Sequence, residues 1–242
     1  FINYAKQYSD MPFVIMLDED ENGYKAGRFL RASDLGMSGE NNEWKPVIQD
    51  KLSQQLLVPN GTMGQRWEEG KKWNLKLETE DGTPIDPLLS MAESDYHVDT
   101  IQFPYFDSSG DGIFERPIAT RTIQLANGEK VKIATVYDLM TSQYGVQRFE
   151  HELEATSYDD ASSKYTPAWQ EQITGIKKEL VTKVAKEFAQ NAIDTGGRSM
   201  IIMGAGINHW FNSDTIYRSI LNLVLLCGCL LYTSPSPRDK RQ

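Results

Sequence analysis

Residues 197–229 read GRSMIIMGAGINHWFNSDTIYRSILNLVLLCGC, and the order of their parts decides the fold class. Ser199-Met200-Ile201-Ile202-Met203 is an apolar run as long as a buried strand. Gly204-Ala205-Gly206 supplies a turn, Asn208-His209-Trp210 a polar cluster, and a helical pattern begins near Ser213. Strand, glycine turn and helix in that order place a loop at the carboxyl end of a strand. Open α/β sheets bind ligands there, because backbone N–H groups and a helix N-terminus converge on that point. Upstream, Lys177–Ala192 is amphipathic: Leu180, Val181, Val184, Ala185 and Phe188 form one stripe with lysines opposite, and Gly196-Gly197 ends it. Helix, strand and helix predict an α/β chain ending in a piece of parallel sheet. With that stripe buried, Phe188→Ala should cost about 3–5 kcal/mol.

The loop is not a dinucleotide fingerprint, because His209 stands where the third glycine belongs. A tight turn between a core strand and a helix accounts for Gly204 and Gly206 equally well. Asn208 can hydrogen-bond a heterocycle edge or a phosphate, and His209 can donate to an oxyanion. The bland alternative for His209 is a histidine satisfied at a strand end.

Working outward, the chain has 242 residues, 40% hydrophobic and 24% charged, with a formal net charge of −9. That balance is ordinary for a globular protein and argues against nucleic acid as a partner. Its two cysteines, Cys227 and Cys229, are one residue apart in an apolar helical pattern, where side chains diverge too far for a disulfide. They read as small buried hydrophobes. The apolar stretch from Ile220 to Tyr232 is shorter than the roughly 20 residues of a membrane span, so no direct span is expected. Leu230–Gln242 has two prolines, a basic end and no hydrophobic period. It resembles a translated sequencing-adapter tail and is set aside as non-native.

Toward the N-terminus, Phe1–Tyr8 has helical spacing, and Phe13–Leu17 with Tyr24–Leu30 can form a hairpin across the acidic stretch Asp18–Gly23. From Asp34 to Pro117, Gly, Asn, Pro and Asp recur every few residues, which predicts a loop-rich insertion with short strands. Asn127-Gly128 between β-rich runs is a hairpin signal. Thr135–Tyr144 has helical spacing, and Thr166-Pro167 opens another helix that ends near Gly175. Asp107-Ser-Ser109-Gly-Asp111-Gly112 imitates the start of a calcium loop, but Ile118 stands where the bidentate glutamate belongs, so it reads as a surface turn. The pair Asp159-Asp160 suits a capping role as well as a functional one.

The loop and its flanks resemble the respiratory nitrate reductase branch of the dimethyl sulfoxide reductase superfamily of molybdopterin enzymes. GRSMIIMGAGINHW with Tyr217-Arg218 and Leu226–Cys229 carries the likeness at one end. In order along the chain it is also carried by Tyr8–Pro12, Ala26–Asp34, Glu40–Lys45, Val58–Gly61, Arg66-Trp67, Lys72–Leu75, Phe103–Phe106, Thr135–Leu139, Ala155–Asp160, Tyr165–Trp169 and Glu171–Gly175.

The resemblance implies an internal piece of a longer catalytic alpha subunit with a partial molybdopterin-oxidoreductase fold. Residues 1–33 would be the end of an α/β segment, 34–134 the loop-rich insertion, 135–229 a molybdopterin-binding α/β segment, and 230–242 the tail. The activity implied is reduction of nitrate to nitrite at molybdenum held by bis(molybdopterin guanine dinucleotide). Cofactor-binding roles then fall to Gly204, Gly206, Asn208, His209 and Trp210, and catalytic roles to Asn208 and His209. No metal ligand is among them, and the ligands of the parent's [4Fe-4S] cluster are absent. Implied partners are an iron–sulfur beta subunit and a haem-bearing membrane gamma subunit. These would hold the complex at the membrane, on the cytoplasmic face in bacteria and the outer face in archaea. The chain alone is expected to be inactive. Nitrite oxidoreductase, the same machinery run in reverse, is the near alternative; a non-redox α/β binding module is the distant one.

Overall fold

In the computed structural model, residues 2–21, 23–72, 74–107 and 110–228 are described. They fall into two compact units, one of Lys6–Gly175 and one of Phe1–Ala5 with Ile176 onward.

The first unit is built on a closed five-stranded barrel. Helix α1 (Ile2–Tyr8) leads to strands β1 (Val14–Asp20) and β2 (Gly23–Phe29), the hairpin expected of Phe13–Leu17 and Tyr24–Leu30. Two-residue strands β3 (Ile48–Gln49) and β4 (Leu56–Leu57) pair with each other outside the barrel. Then come β5 (His97–Asp107), β6 (Gly110–Gln124) and β7 (Lys130–Thr135). The barrel order is β1-β2-β5-β6-β7, antiparallel throughout except for the short parallel contact of Tyr24 and Lys25 with Ile101 and Gln102. β1 is buried on both faces. Val14 and Met16 join Leu30, Met91 and Ile133 in one cluster, while Leu17 joins Ile101, Phe103, Phe114 and Ile118 in another. That two-sided burial is why residues 13–17 read as an unbroken apolar run.

The stretch expected to carry only short strands differs in its second half. Residues 34–96 are irregular, with single 3-10 turns, but β5 and β6 form a long ribbon paired from His97↔Thr120 to Asp107↔Gly110. Pro104 and Pro117 lie inside it, where proline was read as a strand breaker; it is tolerated where the ladder asks for no N–H. The calcium-loop imitation falls at the tip of this ribbon, and its Ser108 and Ser109 lie outside the described residues.

Three expected helices follow their capping signals. α2 (Val136–Gln143) starts at Thr135, whose hydroxyl accepts from Asp138 N at 3.0 Å. α3 (Pro167–Thr174) starts at Thr166, which accepts from Trp169 N, and stops at Gly175 in the left-handed region. α4 (Lys178–Thr195), in the second unit, stops at Gly196 (φ +68°). α5 (Ser213–Cys227) completes that unit.

Two expectations for the second unit are corrected. Ser199–Met203 has no strand ladder, so the C-terminal piece is helix, irregular segment, helix. A strand exists only against a partner, and among the described residues no strand pairs with this run. Likewise α4 has no buried residue: Leu180 is 55% exposed and Val184 56%, and Phe188 is half-buried. The cost of about 3–5 kcal/mol for Phe188→Ala therefore does not apply to this chain, because the cavity term needs a closed core.

Candidate functional site

The loop after α4 is built from its two glycine junctions. Gly197 N donates to Ala192 O at 2.7 Å with φ +87°, which turns the chain off the helix. Ser199, 3% exposed, is fixed next: its Oγ accepts from Asn191 Nδ2 at 3.0 Å and lies 3.2 Å from Phe188 O. Residues 200–203, which lack regular secondary structure, lead into Gly204, and Ala205–His209 makes one 3-10 turn. Ile207 N donates to Gly204 O and Trp210 N to Ile207 O.

This brings the five predicted site residues into one solvent-facing turn. Asn208 and His209 are exposed, and Trp210 is 70% exposed. The Asn208 carboxamide is held from α5, where the Tyr217 hydroxyl donates to Oδ1 at 2.5 Å. Built Cβ atoms at Gly204 and Gly206 would meet nothing within 4 Å. The turn therefore presents a carboxamide, an imidazole and an indole beside open backbone, which suits contact with a large anionic or heterocyclic group. Among the described residues no carboxylate forms an ion pair with His209.

The other singled-out groups fall elsewhere. Cys227 is a free, half-buried thiol whose pKa burial pushes up. Cys229 and the tail 230–242 lie outside the described residues. Asp160 organises a turn. Its carboxylate accepts from Ser162 N and Oγ, contacts that hold its pKa below the usual range, and its carbonyl accepts from Thr166 Oγ1 at 2.7 Å. Among the described residues no group of three or more His, Cys, Asp or Glu side chains could hold a metal ion, and no helix is long and apolar enough to cross a membrane.

Sequence reading missed the polar hub of the barrel unit. Asp138 is fully buried. Its carboxylate accepts from Ser90 Oγ at 2.6 Å, Met91 N at 2.8 Å and Arg148 Nη1 at 2.8 Å. Arg148 also lies over the rings of Tyr137 and Phe149. Glu154 accepts from the N–H groups of Arg148, Phe149 and His151, so the loop after α2 is clamped at both ends. The pairing spans residues far apart in sequence, and only the helix-start signal at Thr135 hinted at Asp138.

The order and chemistry of the loop can be set beside known proteins. The chain is 53% identical over 229 residues to the nitrate reductase alpha chain of Bacillus subtilis, covering 94% of this chain and 18% of that one. It is 41% identical over 244 residues to the respiratory nitrate reductase 1 alpha chain of Escherichia coli, covering 95% and 19%. Over nearly all of its length the chain is similar to a stretch of nitrate reductase alpha chains. A third relative, the nitrate reductase alpha subunit of Mycobacterium tuberculosis, is 40% identical over 238 residues, covering 95% and 19%. The chain thus spans about a fifth of the length of the curated relatives it matches. No family model matches it.

Proposed function

We propose that this chain is a portion of the catalytic alpha subunit of a molybdenum-dependent nitrate reductase that works in anaerobic respiration. The observation that carries the reading is 53% identity to a nitrate reductase alpha chain across 94% of these residues, the 204–210 loop among them. The cofactor is bis(molybdopterin guanine dinucleotide), which supplies the oxygen-atom transfer when bound. The turn at Gly204–Trp210 fits contact with it: the space beside Gly204 and Gly206 admits close approach, and the exposed side chains are hydrogen-bond donors. Asn208, with its Oδ1 engaged by Tyr217, keeps its Nδ2 hydrogens to orient the bound group or the substrate. His209 donates from its imidazole to an anionic oxygen, and Trp210 shields the contact from water. None of these residues ligates the metal. Electrons reach the subunit from an iron–sulfur beta subunit and a haem-bearing membrane gamma subunit, which attach the complex to the membrane, on the cytoplasmic face in a bacterium and the outer face in an archaeon.

The test is His209→Ala in the full-length alpha subunit within its complex. Turnover of nitrate per bound molybdenum should fall by about 10²–10³, the usual cost of one preorganised donor at a developing oxyanion. Turnover equal to that of the unsubstituted enzyme, with full molybdenum content, makes His209 a structural residue and removes the site assignment.

A further inference from the structure

The barrel unit carries an open groove that the proposed reaction does not use. Phe13, Phe29, Trp44, Pro46, Met63 and Leu75 line it, and its volume is about 390 Å³. Phe29 is 37% exposed, Trp44 45% and Met63 39%. The patch continues to Trp67, 55% exposed, whose ring lies 5.8 Å from that of Trp44. Contiguous apolar surface with a polar rim marks an interaction site. Trp, Phe, Met and Arg are the side chains that concentrate at the centres of protein interfaces.

The groove also carries a cation. The Arg31 guanidinium stacks over Trp44 at 5.6 Å; its charge also acts on Asp34, but among the described residues no carboxylate lies within ion-pair distance of it. An arginine oriented on an indole face presents its fork to a carboxylate with little further loss of freedom. Asp10 also reaches the groove, but it is exposed and screened by water.

We propose that this groove docks a polypeptide segment carrying an acidic residue beside an apolar one, and that the segment belongs to the same alpha polypeptide outside this chain. Its carboxylate pairs with Arg31, and its apolar side chain enters between Phe29, Trp44 and Met63. The unpaired cation selects an acidic segment over a basic one. The relatives' length, about five times this chain, favours an intramolecular occupant, because tethering raises its effective concentration. The source of the segment rests on the reading of the chain as a portion of an alpha subunit; the groove chemistry does not.

Photo-crosslinking from p-benzoylphenylalanine in place of Met63, in the full-length alpha subunit within its complex, tests this. Mass spectrometry of the product should give one intramolecular segment with Asp or Glu within two residues of an apolar side chain. Arg31→Glu should lower the yield at least tenfold and Arg31→Lys much less, with nitrate turnover serving as a separate readout of the functional reading. Should Arg31→Glu impair folding, Arg31→Gln takes its place, with a several-fold loss expected. Crosslinks to another subunit, to scattered sites or to a segment without an acidic residue overturn the proposal, as does an unchanged yield in folded Arg31 variants.

Discussion

The Tyr217 hydroxyl donates to Asn208 Oδ1 at 2.5 Å, tying the first turns of α5 to the 3-10 turn that carries the candidate site. One side chain of a helix thereby fixes which end of a carboxamide is left to act. Tyr217→Phe keeps the ring and removes only that tie. An exposed neutral hydrogen bond contributes about 0.5–1.5 kcal/mol, so turnover of the full-length enzyme should fall by about three- to tenfold. Molybdenum content should not change. Steady-state kinetics beside metal analysis reads both; unchanged turnover means that the orientation of Asn208 is immaterial.

Asp138 and Arg148 form a buried ion pair in the barrel unit, with side chains 0% and 17% exposed. Removing one partner leaves a buried charge without its counterion, which typically costs about 3–5 kcal/mol. Arg148→Ala should fall near the lower end, since Ser90 Oγ and Met91 N still donate to Asp138. Urea unfolding of this chain measures it. A loss below about 1 kcal/mol would show the pair to be worth no more than a surface salt bridge.

Acid should weaken the edge of the same unit through Asp34. The Arg28 guanidinium, donating to both carboxylate oxygens at 2.7 and 2.6 Å, holds the Asp34 carboxyl below the usual carboxylate range. A depressed folded-state pKa gives stability that is complete well above the unfolded value of about 4 and is lost as pH falls through the folded one. Arg28→Met should therefore flatten the stability profile below about pH 5 and leave its shape near neutrality unaltered. Thermal unfolding across pH 2–7 is the measurement, and parallel profiles would refute the assignment.

The open stripe of α4 predicts a contrast between contexts. In this chain Leu180→Ala and Val184→Ala should change stability by no more than about 0.5 kcal/mol, as exposed positions do. In the full-length subunit the same changes should cost about 2–4 kcal/mol if the stripe is covered there. Denaturant unfolding of this chain and thermal inactivation of the full-length subunit supply the two values. Equal effects in both contexts would mean that the stripe stays open.

Local signals carried the helices and hairpins. Thr166-Pro167 fixed the start of α3 and Asn127-Gly128 the β6–β7 turn, since caps and left-handed turns are decided by two or three neighbouring residues. Barrel closure was hidden, because Tyr24 meets Ile101 across a separation that leaves no pattern in either strand. The strand expected at Ser199–Met203 failed for the complementary reason: apolar residues can specify a strand but cannot supply its neighbour. At the candidate site the glycines and the Asn-His-Trp cluster were readable from spacing. The hold of Tyr217 on Asn208 was not, because it depends on how α5 returns. Arg31 and Trp44 were noted only as parts of separate stretches, and their stacking depends on the irregular path from residue 34 to 44.

A Cβ built on Gly228 would sit 2.8 Å from Gly197 Cα, so the backbone leaving α4 and the backbone leaving α5 pass at touching distance. Everything between those two glycines, the candidate site included, enters and departs through a single gate. Such a segment behaves as a cassette. It can be exchanged whole between relatives with both junctions preserved, and a side chain at Gly228 would wedge the gate open and tilt every donor on the turn together.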